Sequence, residues 1–153
     1  MKATKKIDRT GWAPGPWDDE PDRDERIVDG YHCLAVRAHH GAWCGYVAVP
    51  PGHPWHGVDY SDLPDYGPDV HGGLTYASEC YGQVCHVPAP GEPDNVWWLG
   101  FDCHHYLDRA PGSESTMRNI GCPERVPVGA YRTLDYVRGE CDRLVAAVKE
   151  SAP

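Results

Sequence analysis

The pattern of apolar and polar residues predicts a sheet in the first two thirds of the chain. Residues 31–38 and 42–49 are rich in apolar and aromatic residues, and the polar segment His39-His40-Gly41 between them suits a tight hairpin turn. Residues 96–103 are apolar almost throughout, which is typical of a strand inside a sheet. These three strands form the framework of the predicted fold.

Weaker patterns follow in the middle of the chain. Residues 70–77 alternate between two faces, with His71 and Thr75 on the same face. Residues 83–87 predict a further short strand. Residues 112–127 are rich in turn-forming residues and predict a loop.

Residues 133–149 predict the last element, a helix with an apolar face. Asp135 in its first turn and Lys149 near its end suit the helix dipole. We therefore expect an α+β fold: a mainly antiparallel sheet of about four to six strands, with a C-terminal amphipathic helix packed on one face. The apolar residues of the helix are Leu134, Val137, Cys141, Leu144, Val145 and Val148.

The N-terminal residues 1–29 predict a poorly structured, acidic arm that contains Trp and Pro, ahead of a single α+β domain over residues 30–150. Two interpretations stay open for this arm. In one it is a solvated tail whose Trp12 and Trp17 pack back on the domain. In the other it mimics nucleic acid or docks on a basic partner protein.

The formal net charge of −9 at pH 7 speaks against a broad phosphate-binding surface, so direct binding of nucleic acid is not expected. The sequence has neither a secretory signal pattern nor an apolar run long enough to span a membrane. We expect a cytoplasmic protein without membrane contact. The sequence does not predict its oligomeric state.

Seven cysteines in a reducing compartment predict free thiols or metal ligands rather than a disulfide framework. Cys80 and Cys85 are expected to face each other across a tight turn, where they are candidates for a structural zinc site with His86 and Cys122. Cys103 is a candidate catalytic thiol, although its apolar strand favours a place in the core.

The clearest candidate chemistry follows the strand at residues 96–103. Asp102 ends this strand, His105 lies just beyond it, and Asp108 follows one turn later. We predict that Asp102 and His105, with His71 from another strand, bind a divalent cation such as zinc, while Asp108 orients an imidazole or acts as a general base. Asp102 as a helix N-cap and His105 as a half-buried ring are the structural alternatives.

The remaining candidate residues are predicted to contact a substrate. Gly72 and Gly73 allow close approach of a ligand or of backbone, or they serve only a bulge or a tight crossing. Thr75 shares a strand face with His71. His53 and His56, in a long loop, either line the same cleft or pack on the surface.

Four stretches together resemble a family of small hypothetical proteins encoded by bacteriophages and by high-GC bacteria. They are residues 43–54 (WCGYVAVPPGHP), 70–76 (VHGGLTY), 96–105 (VWWLGFDCHH) and 131–137 (YRTLDYV). The resemblance covers residues 30–148 and implies a protein that works inside an infected bacterial cell, as an accessory enzyme or a counter-defence factor. The family has a small residue in place of His104, then a His and a later Asp, which favours His105 and Asp108 as site residues.

Two functions are therefore expected from different classes. The first is a small metal-assisted hydrolase or related enzyme that acts on a small polar or phosphorylated substrate, with catalytic His105 and Asp108. The second is a non-catalytic phage accessory or counter-defence protein that binds a host or phage protein.

Overall fold

The computed structural model describes residues 5–125 and 128–153 of the 153-residue chain. Five strands form one sheet in the order β1-β2-β3-β5-β4, and every neighbouring pair is antiparallel. A short parallel pair, β6 with β7, and two helices complete the fold. The elements are β1 Arg23–Val28, β2 Tyr31–Arg37, β3 Trp43–Val49, β4 Tyr76–Glu79, β5 Trp97–Asp102, β6 Asp108–Arg109, α1 Pro111–Asn119, β7 Ala130–Tyr131 and α2 Leu134–Glu150.

The main core lies between one face of the sheet and α2, because the apolar positions of the strands alternate and those of the helix recur on one side. Thr133 caps the helix by accepting a hydrogen bond from the backbone N–H of Tyr136. The α+β prediction with a C-terminal amphipathic helix is confirmed. The fully buried core residues include Val47, Val49, Leu99, Phe101, Val137, Leu144, Val145 and Val148.

The opposite face of the sheet carries a second, smaller apolar cluster around Leu34, Ala48 and Trp98. Residues 80–96 cover this face through Val84 and Val96. This segment lacks a regular strand and contains only an isolated bridge between residues 81 and 84, so the predicted strand at residues 83–87 is wrong.

Cys80 and Cys85 form a disulfide across the turn between them. The prediction that they face each other is confirmed, but their sulfur atoms are bonded to each other and do not serve as zinc ligands. The other five cysteines are free. Among them, Cys103 is buried, and burial raises its thiol pKa well above the ordinary value, which disfavours a catalytic thiolate.

The structure differs from the sequence prediction at the N-terminus, because residues 23–28 form the edge strand β1 rather than part of an arm. Acidic residues in and next to this strand are paired within the chain: Asp24 with Arg138, and Asp22 with Arg37. Trp17 is buried and packs edge-on against Tyr131. The interpretation that the tryptophan packs back on the domain is confirmed for this residue.

Two further predictions are wrong in their boundaries. Residues 112–127 are predicted to form a loop, but α1 extends into them as far as Asn119. Pro111 favours the start of this helix, because an N–H group at the first helical position has no partner within the helix and proline has none to leave unpaired. The strand predicted at residues 70–77 starts only at Tyr76, since residues 70–73 form a turn closed by a hydrogen bond between the Gly73 N–H and the Val70 carbonyl.

No helix within the described ranges combines the length and apolarity needed to cross a membrane.

Candidate functional site

The candidate site lies where β5 ends and the chain turns into β6. His105 and Asp108 close this turn twice: the His105 N–H donates to the Asp108 carboxylate at 3.0 Å, and the Asp108 N–H donates to the His105 carbonyl at 3.0 Å. Leu107 adopts a left-handed backbone with φ 72°, and its carbonyl accepts a hydrogen bond from Ala130. The turn is therefore held on both sides.

The turn at residues 70–73 brings His71 to the same place. Gly72 and Gly73 have φ values of 68° and 77°, a region that favours glycine. A Cβ atom on Gly72 would lie only 2.3 Å from His105 Nε2, so the two turns approach each other closely only because this residue is glycine. The His71 and His105 ring centroids are 6.0 Å apart.

The Asp108 carboxylate is the hub of the site. It is buried, and its Oδ2 lies 2.7 Å from His71 Nε2 while its Oδ1 accepts a hydrogen bond from Arg132 Nε at 3.1 Å. Burial alone would raise the pKa of Asp108, but the hydrogen bonds from His71, the His105 backbone and Arg132 together lower it below its ordinary value. Asp108 is therefore a carboxylate at neutral pH.

His71 joins this carboxylate to a hydroxyl group. Its Nδ1 lies 2.7 Å from the Tyr136 hydroxyl, and that hydroxyl lies 3.4 Å from Glu140. In neutral His71, the Nε2–H donates to Asp108, and Nδ1 accepts a hydrogen bond from the Tyr136 hydroxyl. In protonated His71, Nδ1–H donates to Tyr136, which in turn donates to Glu140. Both protonation states of the imidazole are thus satisfied.

The pKa of Tyr136 is raised, first by burial and next by the negative charge of Glu140. The phenol is therefore protonated at neutral pH and needs a neighbouring base to react. His71 Nδ1 is placed for that role.

Asp102 and His105 form the partly exposed side of the site, although the His105 Nε2 atom itself is buried. His105 Nε2 lies 3.2 Å from Asp102 Oδ1, yet it has no hydrogen-bond partner among the described residues. The Asp102 carboxylate instead accepts hydrogen bonds from the Thr75 hydroxyl and from the His104 N–H, each at 3.0 Å. The structure thus brings His71, Asp102, His105, Asp108, Thr75 and Gly72 together.

His53 and His56 do not join this group. His53 is buried and hydrogen-bonds to the Val148 carbonyl near the end of α2, about 18 Å along the helix from Tyr136 at 1.5 Å per residue. His56 hydrogen-bonds to the Asn95 carbonyl just before β5, whereas Asp102 ends that strand. Both therefore lie away from Asp102 and Tyr136, and a substrate contact of either stays a prediction.

The geometry favours acid–base use of His71 over cation binding, because both of its ring nitrogens already have partners. Binding of a divalent cation by His71, Asp102 and His105 stays a prediction. In the described part of the chain, one set of three potential ligand atoms lies within mutual distances of 4.8 Å, and it belongs to His32, His86 and Glu92 instead.

Sequence reasoning missed Tyr136 and Arg132 as site residues. Both lie in the stretch 131–137, which carries part of the family resemblance, but nothing in their spacing shows that the start of α2 packs beside the turn at residues 70–73. Arg132 also stacks its guanidinium 4.9 Å from the centre of the Tyr136 ring.

Comparison with known proteins gives no relative: no family model, no curated protein and no solved structure matches this chain. The resemblance to phage-encoded proteins stays a prediction. What the site can do follows from its own geometry.

Proposed function

We propose that this chain is a small hydrolase that acts on a small polar substrate carrying a phosphate or another anionic ester group. The observation that supports it is the row Tyr136–His71–Asp108, with 2.7 Å contacts on both sides of the imidazole. A hydroxyl beside a base that is itself oriented by a buried carboxylate is the usual arrangement of an activated nucleophile.

In the proposed reaction, Tyr136 is the nucleophile and His71 is the general base. The Tyr136 oxygen attacks the ester centre while His71 Nδ1 takes the phenolic proton, and protonated His71 then returns this proton to the leaving oxygen. Water hydrolyses the tyrosyl ester in a second step. Asp108 keeps the Nε2–H of His71 in place and stabilises the positive charge that develops on the ring.

One cationic side chain beside Tyr136, that of Arg132, supports an anionic substrate in spite of the acidic chain. Arg132 uses its Nε on Asp108, and no hydrogen bond of its terminal nitrogens is found within the described ranges. The Arg132 side chain is about one third exposed, which leaves it open to a ligand.

The test is hydrolysis of p-nitrophenyl phosphate, bis(p-nitrophenyl) phosphate and p-nitrophenyl sulfate by the full chain and its variants. We expect turnover of at least one ester and a loss of about 100-fold or more in kcat/KM for His71→Gln. Tyr136→Phe should lose turnover and also the covalent tyrosyl adduct, which intact-protein mass spectrometry detects after rapid quenching.

The matched control is His56→Gln, a partly exposed histidine that hydrogen-bonds to a backbone carbonyl at the far end of β5. It should keep wild-type turnover. Wild-type protein that hydrolyses none of the three esters faster than His71→Gln would contradict the proposed reaction and favour a non-catalytic, partner-binding role inside the infected cell.

A further inference from the structure

A second cluster of polar side chains lies on the sheet face opposite α2. His32 is the second residue of β2 and points to the same face as Leu34, by the alternation of the strand. His86 packs edge-on against Trp98 on that face, and its ring centroid lies 4.3 Å from that of His32. Glu92 comes from the same covering segment as His86.

The side chains of this cluster converge at their polar atoms. His32 Nε2 lies 3.0 Å from Glu92 Oε2, and one potential ligand atom from each of His32, His86 and Glu92 lies within 4.8 Å of the others. Two ligands of one tetrahedral zinc ion, each about 2.1 Å from it, are about 3.4 Å apart. The cluster therefore needs only small side-chain rotations to hold an ion.

A second, independent observation points to a ligand at this position. His86 is only 8% exposed, and its Nε2 atom is buried without a hydrogen-bond partner among the described residues. Burial of an imidazole nitrogen without a hydrogen-bond partner is destabilising, and a cation bound at that nitrogen would supply the missing partner.

The carboxylate of the cluster is positioned by the backbone rather than left to move freely. Glu92 Oε2 also accepts a hydrogen bond from the Ala89 N–H at 3.0 Å, within the turn that carries it. His32 is held in the strand β2, and His86 directly follows Cys85 of the Cys80–Cys85 disulfide. The three side chains are thus held by three separate restraints.

The cluster borders open space on two sides. A cavity of about 280 Å³ is lined by His32, His86 and Glu92 together with Pro93 and Val96. A second cavity of about 310 Å³ shares the same three polar residues. An ion at the cluster would therefore keep a position open to water or to a small ligand.

We propose that His32, His86 and Glu92 form a zinc-binding site with one open coordination position facing the adjoining cavity. Two imidazoles and one carboxylate with an open fourth position are a ligand set of catalytic zinc. The site is separate from the His71–Asp108 row, since it lies on the opposite face of the sheet and near the start of β5 rather than its end.

The experiment is isothermal titration of the full chain with Zn²⁺ after removal of metals by a chelator. We expect about one equivalent bound with a Kd in the micromolar range or below. Glu92→Gln and His32→Gln, which change partly exposed side chains, should each weaken binding at least tenfold. His86→Gln should do the same if circular dichroism shows it folded.

The matched control is His105→Ala, which removes a predicted metal ligand of the other site and should leave the Zn²⁺ affinity unchanged. Less than a tenth of an equivalent bound, unchanged affinity in Glu92→Gln and His32→Gln, or a loss confined to His105→Ala would overturn the proposal. So would a thiolate-to-cobalt charge-transfer band on Co²⁺ addition, because it would show cysteine ligation. None of these readouts depends on ester hydrolysis.

Discussion

Gly72 is the residue on which the close approach of the two turns depends. Its φ of 68° is strained for any other residue, and a Cβ atom would press on the His105 ring. We expect Gly72→Ala to lower the free energy of unfolding by about 2–4 kcal/mol, from strain and from displacement of His105. Urea denaturation measures this loss.

The neighbouring glycine provides a matched control. Gly73 has a similar φ of 77°, but a Cβ atom on it would meet nothing within 4 Å. Gly73→Ala should therefore cost only the backbone strain, about 1 kcal/mol. Equal losses in the two variants would show that His105 does not pack against Gly72 in solution.

The Asp108 carboxylate should make the free energy of unfolding depend on pH in the acidic range. Its pKa in the fold lies below the ordinary value of 3.8, so the carboxylate stabilises the native state above that pH and loses this effect as the pH falls through the folded pKa. We expect Asp108→Asn to cost about 1–3 kcal/mol at pH 7 and progressively less below pH 3.8. Urea denaturation between pH 2 and 7 measures both.

The control for this prediction is Asp69→Asn. Asp69 is 99% exposed and lies 3.6 Å from a half-exposed Arg143. Removal of its charge should change stability by a few tenths of a kcal/mol at most at any pH. A difference between wild type and Asp108→Asn that does not shrink in acid would contradict the hydrogen-bonded carboxylate.

At the scale of elements, the start of α2 positions Tyr136. Thr133 accepts the Tyr136 N–H at 3.2 Å, and Glu20 accepts the Leu134 N–H, so two side chains satisfy the first turn of the helix. We expect Thr133→Ala to lower stability by about 1 kcal/mol and Thr133→Ser to retain it, as measured by thermal unfolding. An equal loss in both variants would contradict the cap.

The same elements show how far the sequence predicts the fold. The helix α2 and the strands β2, β3 and β5 have strong periodic patterns, and the structure has them within one or two residues of the predicted positions. The strand β1 has a charged sequence, since an edge strand can pair its charges with neighbouring side chains and needs no continuous apolar face. Arg138, which pairs with Asp24 of β1, lies more than a hundred residues away along the chain. Local sequence patterns therefore do not predict this ion pair.

At the scale of the whole molecule, the sequence predicts the residues of the candidate sites to different extents. Asp102, His105 and Asp108 are neighbours along the chain, and the end of an apolar strand marks them. Tyr136 enters the site only through the packing of α2 against the sheet. His86 and Glu92 lie in a segment without regular structure, where no periodicity predicts which side chains meet.

The two sites lie on opposite faces of the sheet and have no side chains in common. The His71–Asp108 row lies beside α2 near the end of β5, and the His32–His86–Glu92 cluster lies across the sheet near the start of that strand. Variants at one site should therefore act independently of variants at the other, with free energies of unfolding that add within about 0.5 kcal/mol.

The central claim is that Asp108 holds the Nε2–H form of His71 so that Nδ1 faces Tyr136. Long-range ¹H–¹⁵N NMR of the His71 ring, recorded at a pH where the ring is neutral, tests it most directly. The account predicts a proton on Nε2 and an unprotonated Nδ1, with this preference weakened in Asp108→Asn. A ring protonated on Nδ1, or one that exchanges between both forms like a free imidazole in the wild-type protein, would contradict it.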